Sequence, residues 1–205
     1  MFSAYQTLLQ RMPLRTNMAT ATVVMFSADA YAQHIEATRV DDAGSFDGVR
    51  STVMTSWNAL IFTPTFFVWF RRLERTWPGT SPRAVVTKVM TNQVAMNAPI
   101  TALALAYAVS LEAGLRAVLG QQCWQAEQVR AEVGRRWSES LGVALLASAC
   151  LWVPVNLLNF SLVPPHLRVV PTILTSCAWN TYLSLKAHED DRAEGDAALG
   201  IAKST

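Results

Sequence analysis

Nine polar side chains interrupt apolar stretches of this 205-residue chain: Asp29, Gln33, Lys88, Asn92, Gln93, Asn97, Asn156, Asn159 and Arg168. At membrane depth such groups must find partners inside the protein, so they occupy specified positions. The chemistry open to them is hydrogen bonding, either lining a water-filled path for small solutes or ions, or closing buried structural knots. Covalent and metal chemistry find no footing. There is no nucleophile motif, no pair of carboxylates in an apolar setting, and no glycine-rich loop that could cradle phosphate. His34, His166 and His188 each stand alone, without a partner at metal-ligand spacing, and are read as structural. Cys123, Cys150 and Cys177 are far apart and form no C-x-x-C, so they read as small membrane-core residues. No catalytic residue, metal or cofactor is assigned, and an enzyme is not expected.

The elements that position these groups follow from the charge-free runs. Residues 51–70 carry no charge between Arg50 and Arg71-Arg72. At about 1.5 Å per residue they span roughly the 30 Å hydrocarbon core. Pro64 lies inside, beside Thr63 and Thr65, whose hydroxyls can serve the freed carbonyl. Trp69, Phe70 and Trp77 gather at one end like an interfacial belt. Residues 89–111 are uncharged between Lys88 and Glu112. On a straight helix Lys88 and Asn92 share one face, while Gln93, Asn97 and Thr101 fall nearly opposite. Two polar faces cannot both meet lipid, so this helix is placed centrally. Its Ala98, Ala102, Ala106, Ser110 and Gly114 form a small-residue ridge for close packing.

Residues 140–165 are again uncharged. The first part reads as a plain lipid-compatible helix, kinked at Pro154 and ended by Pro164-Pro165. Asn156 and Asn159, three apart, are neighbours on one face. With Trp152 they are expected to form a structural knot that satisfies carbonyls freed at the proline break. Residues 122–138 are amphipathic and read as a surface or connecting helix. Residues 16–35 are the weakest span. Asp29 and Gln33 share a helix face there, with Asp29 either solvated at the interface or paired within the bundle. Asp47 is the expected N-cap of the 51–70 helix, and Ser81-Pro82 starts the helix that carries 89–111. The last run, 169–185, is barely long enough to cross.

These readings give an all-α, integral membrane helical bundle of four to five hydrophobic helices. It comprises one membrane-embedded domain over residues 1–188 and a polar C-terminal tail over 189–205. Charged residues make up 16% of the chain and the net charge is +2, with no basic block interleaved with aromatics. Nucleic acid is therefore excluded as a partner. The expected partners are membrane lipids, together with other membrane subunits or a second copy of the chain. The basic, acid-free start suits a mitochondrial protein but lacks the richness of a cleavable presequence. Lys and Arg divide almost evenly between the two sides, so the positive-inside rule does not orient the chain.

Trp152, Asn156, Asn159, Phe160, Val163, Pro164 and Arg168, followed by Trp179-Asn180, Tyr182-Leu183-Ser184, form a pattern of their own. It resembles the signature of the Mpv-seventeen / twenty-two-kilodalton peroxisomal membrane protein family. Weaker matches run upstream through Asp29 with Gln33, Asp47 with Arg50, Pro64, Trp69-Phe70, Lys88, Gln93 and Pro99, so the resemblance covers roughly residues 5–188. The family's Trp-Pro is Trp152-Val153 here, and its Asp-Gln pair is Asn92-Gln93. The resemblance implies a small integral protein with about four spans in the mitochondrial inner membrane, or alternatively the peroxisomal membrane. It also implies a small-solute or ion conduit supporting mitochondrial membrane homeostasis. The alternative is a non-catalytic structural accessory subunit of a larger inner-membrane assembly. A conduit keeps its polar faces around a wet cavity, whereas an accessory module fills that space with side chains. If Arg168 is buried rather than interfacial, Asp29 is its expected counter-ion.

Overall fold

The computed structural model describes residues 2–39 and 46–180. The tail, Tyr182, Leu183, Ser184 and the question of whether the last run spans lie outside them. The described chain is helical, without strands. Six helices follow one another: α1 (Phe2–Arg11), α2 (Pro13–Arg39), α3 (Gly48–Thr76), α4 (Pro82–Val118), α5 (Ala126–Leu162) and α6 (169–180). Among the described residues α3, α4 and α5 are long and apolar enough to cross a membrane. α2, the weakest span in the sequence, has 27 residues and therefore the length, but not the apolarity.

The helix ends follow local chemistry. Asp47 caps α3, its Oδ1 accepting the Arg50 backbone N–H at 3.0 Å. Ser81 caps α4 through the Ala84 N–H at 3.3 Å, with Pro82 in the first turn where its missing donor costs nothing. Gly79, at φ +87°, makes the turn between them, a conformation that residues with a Cβ resist. α5 stops because Val163 precedes Pro164 and is forced into extended backbone.

Both α3 and α4 widen into one π-helical stretch, Trp57–Phe62 and Gln93–Asn97, and each stretch is followed two residues later by a proline, Pro64 or Pro99. Proline lacks an N–H and its ring collides with the carbonyl four residues back. Bonding five residues back relieves that strain, and the Thr63 N–H accordingly reaches the Asn58 carbonyl. The wide turn also corrects the two-faced reading of α4. On a straight helix, at about 100° per residue, Asn92 and Asn97 stand roughly 140° apart. One extra residue in the turn takes back about 100°, which leaves the two asparagines on nearly one face. Both are buried, at 5% and 9% exposure.

The amphipathic 122–138 stretch is not a separate surface helix. From Ala126 it runs without a break into the apolar helix as α5. Its charges are laddered on the helix itself, Arg135 and Arg136 on Glu132 and Arg135 on Glu139. α4 and α5 pack antiparallel, and the Trp137 indole donates to the Ala102 carbonyl of the small-residue ridge at 3.0 Å.

The tightest core lies where α2, α3, α4, α5 and α6 meet. It joins Ala21, Phe62, Phe66, Phe70, Leu73, Val85, Val89, Phe160, Val169 and Ile173. Phe70 stands edge-on to Phe66 and Phe160, with ring centroids 5.4 and 5.2 Å away. In lipid, where apolar burial gains nothing over the tails, such shape-matched contacts carry helix association. Of the aromatic belt read at Trp69, Phe70 and Trp77, the two tryptophans are half-buried and Phe70 is inside the protein. Phe70 is core, and the Trp69 indole donates to Asn92 Oδ1 at 2.8 Å. Cys150 lies on α5 and Cys177 on α6, while Cys123 is in the connection between α4 and α5. Cys123 and Cys150 are exposed and Cys177 is half-buried.

Candidate functional site: a cavity between two ion clusters

The buried polar residues sort into three places along the bundle. At one end, α2 and α3 are joined through Asp29 and Arg50. Arg50 Nε donates to Asp29 Oδ1 at 3.0 Å, and its two terminal nitrogens grip Glu36 at 2.7 and 3.1 Å. Ser51 also donates to Asp29, as does Gln33 at 2.8 Å. Gln33 takes the Asp47 N–H at 2.7 Å. Arg116 closes the end from α4, donating to Asp47 at 2.8 Å and to Glu112 at 3.0 Å. Burial would raise the Asp47 pKa, but the Arg50 backbone N–H and the Arg116 guanidinium outweigh it and hold the carboxyl below its ordinary 3.8.

At the other end, Glu74 receives both Lys88 (2.5 Å) and Arg168 on one oxygen and the Gly79 N–H on the other. Lys88 and Arg168 are fully inside, at 0% and 1% exposure. One carboxylate serves two cations, so carbonyl oxygens complete the set. Lys88 donates to the Gly79 carbonyl at 2.7 Å and Arg168 to that of Val163 at 3.0 Å. Both cations also lie over the Phe160 ring, 5.9 and 5.3 Å from its centroid. Asn159 braces the arginine from behind, donating to its carbonyl at 3.0 Å.

Arg168 is therefore buried, and its counter-ion is Glu74 rather than Asp29. Asp29 and Arg168 sit at opposite ends. Arg50 and Glu74, their respective partners, are 24 residues apart on α3, about 35 Å of helix, close to the ~30 Å hydrocarbon core. Glu74 reads as a loop residue in the sequence because five Lys/Arg surround it between 71 and 88. α3 continues past Phe70 to Thr76 and turns that carboxylate inward.

Between the clusters, α3, α4, α5 and α6 line a half-open cavity of about 760 Å³, within the range of small-molecule sites. Its walls are largely apolar, with Trp57, Phe62, Phe66 and Trp152 among them. Set into those walls are Asn58, Asn92, Gln93, Asn97, Thr101, Ser148, Asn156 and Ser176. Of the nine polar residues singled out in the sequence, Asn92, Gln93, Asn97 and Asn156 line this space. Asp29 and Gln33 belong to the first cluster, and Lys88, Asn159 and Arg168 to the second. Trp152 packs on Phe62 at 6.1 Å between centroids, at the cavity wall, and Trp179 lines it from α6.

The expected knot of Trp152, Asn156 and Asn159 is thus split. Asn159 braces Arg168, while Asn156 is among the residues that line the cavity, and the Oδ1 of each is enclosed by protein without a partner. Asn97 is held firmly. Its Oδ1 accepts Ser148 at 2.7 Å and Thr101 at 3.3 Å. Asn58, Ser148 and Ser176 escape sequence reading because a lone Asn or Ser in an apolar run has no helical partner to flag it. Among the described residues no group of acids, histidines and cysteines could hold a metal ion. His34 and His166 are exposed rather than built into the bundle.

Residues 125–184, which hold α5, the second cluster and α6, match the model of the Mpv17 / PMP22 family. The chain is 31% identical over 194 residues to "Protein SYM1" of Eremothecium gossypii, covering 89% of this chain and 93% of that one. It is 29% identical over 188 residues to "Mitochondrial inner membrane protein Mpv17" of Bos taurus, covering 92% and 98%. It is 28% identical over 170 residues to "Protein SYM1" of Mycosarcoma maydis, covering 82% and 76%. No solved structure matches the chain.

Proposed function

The chain belongs to the Mpv17 / PMP22 family, and from that premise we propose that, as an integral protein of the mitochondrial inner membrane, it is a non-enzymatic conduit for small solutes. The observation that carries this reading is the cavity between α3, α4, α5 and α6, with Asn58, Asn92, Asn97 and Asn156 among the residues that line it. Intramembrane polar groups are costly unless a structure or a pathway uses them. The ion clusters hold the helix ends, and the asparagines line the space between. An accessory module would fill that space, and the described side chains do not. The test is solute uptake by liposomes carrying the purified full-length chain. Uptake should exceed that of protein-free vesicles and fall when Asn97→Leu removes the anchor of Thr101 and Ser148. Uptake equal to protein-free vesicles, with the protein shown to be folded, overturns the conduit and returns the chain to an accessory-subunit role.

A further inference from the structure

Lys and Arg divide almost evenly along the sequence, but the carboxylates do not divide evenly along the bundle. Among the described residues Glu74 is the one acid at the end where α3 turns into α4, and Lys88 and Arg168 already share it. The others lie towards the opposite end, on α2, at the cap of α3, near the close of α4 and at the start of α5. There the arginines are answered. Arg116 holds Asp47 and Glu112, and Arg135 and Arg136 hold Glu132 and Glu139.

Arg71, Arg72, Arg75 and Arg83, which flank the α3–α4 turn, are all exposed, and among the described residues none of them has a carboxylate partner. Their placement is specific. Arg71 and Arg72 follow Val68 by three and four residues, so they stand over it on one helix face, with Arg75 a turn further out. Val68 is exposed, while Phe70 and Leu73 on the other side of the helix are buried. The arginine face therefore continues the face that meets lipid. Arg71 also lies over the Phe67 ring, 5.4 Å from its centroid. On α4, Arg83 stands in the same way over Val86 and Met90, both exposed. At that depth an arginine stem runs along acyl chains and its guanidinium reaches the headgroup layer.

We propose that Arg71, Arg72, Arg75 and Arg83 form a docking surface for the phosphate headgroups of anionic phospholipids in the leaflet at this end of the bundle. Like charges so gathered repel one another unless anions lie among them. A phospholipid supplies both halves of the match, a phosphate for the guanidinium forks and acyl chains for the apolar faces below them. A soluble anion supplies only the first. A second copy in the same orientation sets arginine against arginine.

The full chain is reconstituted in phosphatidylcholine vesicles carrying a trace of nitroxide-labelled phosphatidylglycerol or phosphatidylcholine. The lipid immobilised at the protein is read by electron paramagnetic resonance. At low salt phosphatidylglycerol should be enriched about threefold or more over phosphatidylcholine, and about 1 M salt should remove most of that preference. Arg71→Gln, Arg72→Gln, Arg75→Gln and Arg83→Gln together should abolish it. Arg75→Gln with Arg83→Gln, a smaller change that keeps the fold if the fourfold one does not, should weaken it. Arg135→Gln with Arg136→Gln, at the other end, should leave it unchanged. Equal enrichment of the two lipids overturns the proposal, as does a preference indifferent to the four arginines. Displacement of the labelled lipid by millimolar glycerophosphoglycerol, the same headgroup without acyl chains, marks a soluble-anion site and overturns the lipid assignment. A dimer in detergent that the fourfold variant dissolves gives the face to a second copy and overturns it too.

Discussion

Glu74→Gln is the most informative single change in this chain. Glu74 is the one carboxylate shared by Lys88 and Arg168, which are 0% and 1% exposed. The substitution keeps shape and hydrogen-bonding capacity but leaves two cations without a counter-charge. Stranding one buried charge costs about 3–5 kcal/mol. The second cation does not double that cost, because Lys88 can lose its proton whereas Arg168 cannot. The opposite change, Lys88→Met, leaves Glu74 and Arg168 as a neutral pair. It forfeits mainly the bond to the Gly79 carbonyl, about 1 kcal/mol. The two variants should therefore differ by roughly 2–4 kcal/mol in stability, with the double variant between them because Arg168 is still unpaired. At this chain length each kcal/mol moves Tm by about 2–4 °C. Thermal unfolding in mild detergent should show Glu74→Gln melting on the order of 4–16 °C below Lys88→Met. Equal melting temperatures would refute the shared-carboxylate reasoning.

Asn159→Leu should lower stability by about 1–3 kcal/mol, since the Arg168 carbonyl loses a donor and Thr172 alone remains on it. The melting temperature in detergent checks this, and a value unchanged from wild type would contradict it. Because its folded pKa is depressed, Asp47 contributes stability that is present above its unfolded value and lost as pH falls through the lower folded one. Wild-type Tm should thus decline from about pH 5 downward more steeply than that of Asp47→Asn, and parallel curves would contradict the Arg116 contact. Nitroxide labels at Asn92 and Asn97 should report protein or water surroundings, and one at Val94, 77% exposed, should report lipid. Lipid-like mobility at both asparagines would remove α4 from the centre of the bundle.

The hydrophobic runs made α3, α4 and the apolar part of α5 legible, because runs of 20 or more uncharged residues have few other uses. Asp47 and Ser81 were legible as caps because capping is local chemistry. The pairing of charges was not. Glu74 was hidden by counting it with the loop, and only the helical continuation to Thr76 brings it to Lys88, fourteen residues on, and to Arg168. Asp29 reads as either solvated or paired within the bundle, and Arg50, which pairs with it, reads only as the border of a span. The phase of Asn97 against Asn92 was misread for a different reason. Helical periodicity assumes an unbroken 3.6-residue turn, and Pro99 forces a wider one upstream. The resemblance in the 152–184 motif located the second cluster but did not separate Asn159, which braces, from Asn156, which lines the cavity.

The wide turn in α4 acts as a phase joint. Everything after it is rotated by about one residue relative to everything before it. Closing the turn with every residue kept, as replacing Pro99 by a good helix former would allow, swings Asn97, Thr101 and the ridge beyond by roughly 100° without altering one of those side chains. Deleting one residue there, Ala95 for example, restores the ordinary helix yet keeps the phase, because four residues of straight helix turn through about the same net angle as five through the wide turn. A loss of one residue at this point thus leaves the cavity walls where they are, whereas a substitution that lets the turn close replaces a whole wall at once.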